Sequence, residues 1–92
     1  MTLLELRTKI DAIDEQIVHL LHARAALAVD IGLLKKQTGQ PIFDATREQQ
    51  VFAKVSDTKL GTVLPPESVA AIYKTIIASA HDVEQRVQDA QK

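Results

Sequence analysis

Apolar residues recur through the first third of the chain at Leu3, Leu6, Ile10, Ile13, Ile17, Leu20, Leu27, Ile31 and Leu34. Steps of three and four place them on one stripe of an amphipathic helix, predicted from Thr2 to about Gln37. Thr2 with Glu5 three residues on has the spacing of a capping box, and Gly39-Gln40-Pro41 supplies the stop. At about 1.5 Å per residue that helix is about 50 Å long, against a diameter of about 30 to 35 Å for a compact globule of this size. The rest of the chain is too short to cover it, so the stripe is expected to be buried against a second copy, giving a homodimer. Gly32 inside this helix costs about 1 kcal/mol relative to alanine, which close packing against another helix would explain.

Between Leu20 and Leu27 the stripe is interrupted by Arg24, where the register asks for a buried side chain. A guanidinium in a packing seam is costly unless an anion meets it there. The second helix is expected from near Asp44, with Asp44 or Thr46 as its cap, through Val51, Phe52 and Val55 to about Ser56. Asp44, Arg47 and Glu48 share one face of its first turns. A loop through Asp57 and Gly61 leads to a third helix, opened by Pro65-Pro66-Glu67 and running to about Val87. Its stripe reads Tyr73, Ile77, Ala80, Glu84, Val87, so a carboxyl group stands where the pattern asks for a hydrophobe. The alternative is a slightly rotated stripe with Val83 inward and Glu84 at the rim. No strand pattern or repeat is present, and the fold class is all-α, with one very long N-terminal helix and two shorter ones.

The 92 residues amount to a single domain, 1–92, with 46% hydrophobic and 25% charged residues and a formal net charge of -1. That balance argues against general nucleic-acid binding, and 3% aromatic content argues against base-stacking surfaces. With no cysteine there is no disulfide framework and no thiolate chemistry. No unbroken run approaches the roughly 18 apolar residues of a membrane span. The early charges at Glu5 and Arg7 are unlike a signal peptide, so a cytoplasmic location and no membrane partner are expected.

Arg24 and Lys35 are 11 residues apart. That leaves them about 20° from alignment and about 16 Å apart along the axis, within reach of one small dianion for two long side chains. Arg7 lies 17 residues before Arg24. At about 25 Å along the axis and about 100° round the helix it cannot reach the same ligand from its own chain, and would most simply serve a partner's site across an antiparallel helix pair. The alternatives are solvated charges at Arg7 and Lys35, capping alone at Asp44, and an exposed turn at Arg47 and Glu48. His19 and His22 are three apart with no third ligand spaced to join them, and His81 stands alone, so no metal site is expected. Neither a phosphate loop nor a nucleophile elbow is present, and no cofactor is expected.

These residues resemble the all-helical class of chorismate mutases over essentially the whole chain. The likeness is carried by Leu4-Glu-Leu-Arg7-Thr-Lys-Ile-Asp-Ala-Ile-Asp14, Ala23-Arg24, Gly32-Leu-Leu-Lys35, Pro41-Ile-Phe-Asp44-Ala-Thr-Arg47-Glu48 and Ile76-Ile77. The resemblance implies an intertwined homodimer of three-helix chains that rearranges chorismate to prephenate, with each site built from both subunits. It further implies that Arg24 and the partner's Arg7 hold the two substrate carboxylates and that Lys35 donates to the ether oxygen. Glu48 would meet the ring hydroxyl, Asp44 would help fix that end, and Arg47 would support the carboxylate network.

Two positions depart from the commoner family pattern. Glu84 stands where many members have a glutamine donating to the ether oxygen, and Ala80 where a serine often lies near a carboxylate. Glu84 must carry a proton to donate, so turnover is expected to fall as pH rises. A stand-alone enzyme is expected, the chain being too short to hold a fused second domain. Two rivals stand beside the mutase: isochorismate-pyruvate lyase, whose fold is similar, and a non-enzymatic helical dimerisation module.

Overall fold

The computed structural model describes residues 1–90 and is all-helical over them, with three α-helices, one short 3-10 turn and no strand. Helix α1 spans Leu3–Thr38. Thr2 Oγ1 accepts the backbone N–H of Glu5 at 3.1 Å, and Gly39, at φ 76°, ends the helix in the left-handed region that glycine adopts without a Cβ clash. Helix α2 covers Ala45–Val55 and is capped by Asp44, whose Oδ1 accepts the backbone N–H of Arg47 at 3.0 Å. The 3-10 turn Thr58–Leu60 is held by Asp57 Oδ1 on the backbone N–H of Lys59 at 2.9 Å, and α3 follows over Pro66–Ala90.

Helix α3 passes the expected end at Val87 because its last turn is tied to α1. Lys36 Nζ donates to the Gln88 carbonyl at 2.9 Å, and Gln88 Nε2 donates to the Gly32 carbonyl at 3.3 Å. One orphan carbonyl at the helix end, that of Gln88, is thus met from the neighbouring helix.

Helix α3 packs on the second half of α1, and α2 packs on α3. Gly32 makes this approach possible: a Cβ there would lie 3.0 Å from the Glu84 Cα and 3.2 Å from the Glu84 carbonyl oxygen. The close-packing explanation of Gly32 holds, and its neighbour across the contact is a candidate site residue. The buried set among the described residues is small, comprising Ala28 and Gly32 on α1 with Ile77 and Glu84 on α3.

The molecule measures 54 × 25 × 16 Å, the long dimension being that of α1. All nine apolar stripe residues from Leu3 to Leu34 remain 45% to 65% exposed within one chain. Helix α1 also contains an 18-residue window of mean hydropathy 1.6, so by length and composition it is apolar enough to cross a membrane. That corrects the expectation drawn from unbroken runs, because averaging counts apolar residues on every side of the helix, whereas the stripe gathers them on one.

Candidate active site

The second half of α1, the start of α2 and the middle of α3 enclose a cleft of about 310 Å³. Arg24, Ala28 and Lys35 reach it from α1, Asp44, Arg47 and Glu48 from the turn into α2, and Ile77, Ala80, His81 and Glu84 from α3. Leu27, Ile31, Ile42 and Val51 supply apolar wall. Six of the seven sequence candidates therefore converge: Arg24, Lys35, Asp44, Arg47, Glu48 and Glu84. Arg7 does not join them; it is exposed on the first half of α1.

Lys35 is the most constrained of the cations. Its Nζ donates to the Ile42 carbonyl at 2.7 Å, which ties the turn after α1 back onto the helix, and lies 2.9 Å from Glu84 Oε1. The contact with Glu84 is ionic, its angles falling outside those of a hydrogen bond. An ammonium has three N–H donors, and with one on the Ile42 carbonyl two remain for a ligand oxygen. Glu84 is buried while Val83 is only half-buried, which excludes the rotated-stripe alternative. Taking a carboxylate and an ammonium out of water costs several kcal/mol per ion, and this pairing offsets that cost.

Glu48 presents a different situation. Its Oε2 is buried and has no hydrogen-bond partner among the described residues. A buried acceptor left unmade costs about 1–3 kcal/mol, so it favours a ligand that brings a donor. Asp44 Oδ1 caps α2, and the side chain lies on the cleft wall.

Arg24 is half-buried rather than buried in the seam, which corrects the expectation from the stripe. Small residues at Ala28 and Ala80 leave the wall open beside it, so its guanidinium borders the cleft instead of being closed over. Among the described residues no carboxylate pairs with it or with Arg47.

In sequence His81 has no ligating neighbour. It follows Ile77 by four residues and precedes Glu84 by three, so it shares the inward face of α3 with both buried residues. That periodicity was the available signal. Its ring meets Phe43 edge-on, with centroids 6.1 Å apart and planes at 79°. His19 and His22 are exposed on α1.

A second hollow of about 360 Å³ lies at the turn between α2 and α3, lined by Val55, Leu60, Val63 and Val69 among others. Its single ionisable group, Asp57, already caps the 3-10 turn, so charge recognition belongs to the first cleft. There three cations and three carboxylates face one another over an apolar floor. Such an arrangement can hold a small polyanion in a fixed shape, and it contains no nucleophile paired with a base.

Comparison with known proteins gives this geometry a family. The profile of the family described as chorismate mutase type II matches residues 6–85. A bifunctional chorismate mutase/prephenate dehydratase of Aquifex aeolicus is 38% identical over 89 residues, 94% of this chain and 25% of that protein. A chorismate mutase of Methanocaldococcus jannaschii is 42% identical over 53 residues, 58% of this chain and 54% of that protein. A 3-dehydroquinate dehydratase of Pyrobaculum aerophilum is 41% identical over 54 residues, 59% of this chain and 18% of that protein. The chain thus spans from under a fifth to about half of the length of these relatives. With the profile covering most of the chain, and with the Arg, Lys and Glu positions of the cleft inside the matched segment, the chain belongs to the chorismate mutase type II family.

Proposed function

We propose that the chain is a cytoplasmic homodimeric chorismate mutase that rearranges chorismate to prephenate. The observation that carries this is the convergence of Arg24, Lys35 and Arg47 on one cleft whose wall also holds the unpartnered Glu48 Oε2. Chorismate is a flexible dianion with a ring hydroxyl and an ether bridge. Arg24 takes one carboxylate and the partner subunit's Arg7 the other, with Arg47 supporting the pair. Glu48 accepts from the ring hydroxyl, and Asp44 fixes that end.

Clamping both carboxylates holds the folded conformer in which the new C–C bond can form as the C–O bond breaks. This converts conformational freedom into bound geometry before the reaction begins. Negative charge develops on the ether oxygen, and a free N–H of Lys35 is the donor offered to it. A preorganised donor of this kind contributes about 10²- to 10³-fold in rate. Glu84 serves as the second donor when it carries a proton, its contact with Lys35 giving way to one with the ether oxygen. No covalent intermediate forms and no base is needed, in keeping with the residues of the cleft.

The dimer rests on the exposed stripe of α1, whose hydropathy suits a helix seam. Nine half-exposed aliphatic side chains along about 50 Å are covered at once by an antiparallel copy of the same helix, which also brings each Arg7 toward the other chain's cleft. Incubating the protein with chorismate and, separately, with isochorismate tests the assignment. Prephenate from the first, abolished in Arg24→Ala, is the expected outcome. Salicylate from the second with no prephenate would assign the lyase, and turnover of neither substrate would leave a dimerisation module.

A further inference from the structure

Lys35 is held from two elements at once. The Ile42 carbonyl accepts one N–H at 2.7 Å from the turn after α1, and Glu84 Oε1 stands 2.9 Å from the ammonium on α3. Where the ammonium sits therefore depends on the gap between that turn and α3. Among the described residues neither Ile42 nor Phe43 makes a backbone–backbone hydrogen bond, so the backbone of the turn does not fix this gap.

Phe43 spans it. Its ring meets that of His81 on α3 edge-on, with centroids 6.1 Å apart and planes at 79°, an arrangement that aromatic pairs favour. Phe43 follows Ile42 directly, and His81 precedes Glu84 by three residues, one helical turn along the same face. The ring contact thus joins the two elements that Lys35 joins, one residue from one anchor of the ammonium and one turn from the other. Ile42 and His81 border both the cleft and a shallow outer hollow, whereas Phe43 lies outside the cleft lining and is 61% exposed. Its ring is neither part of a closed core nor within the wall that a ligand would touch, so truncating it should leave the fold in place.

We infer that Phe43 is a positioning residue for the reaction, because its ring, set against His81, keeps the Ile42 carbonyl on Lys35 and so determines where the ammonium stands. The inference rests on the mutase reading above and concerns the chemical step rather than affinity. Without the ring the turn is free to draw back and take the carbonyl with it. The ammonium is then left to the Glu84 carboxylate alone and shifts toward α3, away from the place fixed by two anchors. A misplaced donor stabilises the developing charge on the ether oxygen less well, while the arginine contacts that bind the carboxylates remain, so kcat falls and KM does not.

Prephenate formation by wild type, Phe43→Leu, Phe43→Tyr, His81→Leu and the double variant Phe43→Leu/His81→Leu decides the matter. Phe43→Leu should lower kcat about two- to tenfold, the order of one aromatic pair, and leave KM within about twofold of wild type. Phe43→Tyr keeps the ring and should keep the wild-type kcat. In the His81→Leu background the contact is already gone, so adding Phe43→Leu should lower kcat no further. An unchanged kcat in Phe43→Leu overturns the inference, as does a loss that recurs in full in the His81→Leu background. A raised KM at unchanged kcat overturns it by assigning the ring to binding, and loss of dimer in sedimentation of Phe43→Leu overturns it by assigning the ring to the subunit interface. All of these leave the mutase assignment intact. Absence of prephenate from every form, wild type included, would instead remove the assignment, and this inference with it.

Discussion

Equal mixing of Arg7→Ala and Arg24→Ala chains should recover activity that neither variant has alone. Arg24 lies on the cleft wall, whereas Arg7 is exposed, 17 residues earlier on the same helix. At 1.5 Å and 100° per residue that separation is about 25 Å along α1 and about 100° round it, far beyond a guanidinium's reach. A single chain therefore cannot bring both arginines to one ligand. Each substitution alone removes a charge-assisted contact from every site and should lower kcat/KM by about 10²- to 10³-fold. In a heterodimer one site receives Arg24 from one chain and Arg7 from the other and is complete, while the second site lacks both. Random reassociation makes about half of the dimers mixed, and each has one intact site of two, so about a quarter of wild-type activity should return. The assay is loss of chorismate absorbance after the two variants are unfolded together and refolded, beside each variant refolded alone. Activity no greater than the mean of the two separate variants would refute the shared site, as would a fully active Arg7→Ala homodimer.

Gly32→Ala should lower the melting temperature by the equivalent of up to about 2 kcal/mol, the roughly 1–3 kcal/mol of overpacking by a Cβ at 3.0 Å from the Glu84 Cα being offset in part by the roughly 1 kcal/mol that alanine adds to helix propensity. A calorimetric melting temperature at or above wild type would contradict it. Lys35→Met strands a buried carboxylate and should cost about 3–5 kcal/mol in urea unfolding, while Lys35→Met combined with Glu84→Leu should recover most of that loss. Strict additivity of the two changes would show that the pair is not coupled. Ile13→Asp places a charge in the exposed α1 stripe and should convert dimer to monomer in sedimentation velocity, with loss of activity. Glu84→Gln supplies an amide N–H that donates without a bound proton and should raise kcat at neutral pH; a kcat at or below wild type would exclude this position as a donor to the ether oxygen.

The helices were legible in local pattern because each is written within a few residues: Thr2 with Glu5, Gly39, Asp44 with Arg47, and Pro66 all act on their own neighbourhood. The length of α1 likewise follows from a three-four repeat whose register continues through Arg24, and with it the exposure of a stripe that one short chain cannot cover. Arg24 and Glu84 stand out because a charge interrupts an apolar series, and Lys35 because it lies 11 residues from Arg24 and so near its face of the helix, both of which are visible in one dimension. What required the tertiary structure was every relation between helices. The ion pair of Lys35 with Glu84, the unpartnered oxygen of Glu48 and the approach of α3 over Gly32 depend on the distance and rotation between α1, α2 and α3. The last turn of α3, beyond the expected end at Val87, is held by Lys36 and Gly32 more than fifty positions away in sequence. His81 shows the difference most plainly. Its spacing placed it on the inward face of a helix, but only the packing of that helix determined that the face opens onto a charged cleft instead of a closed core.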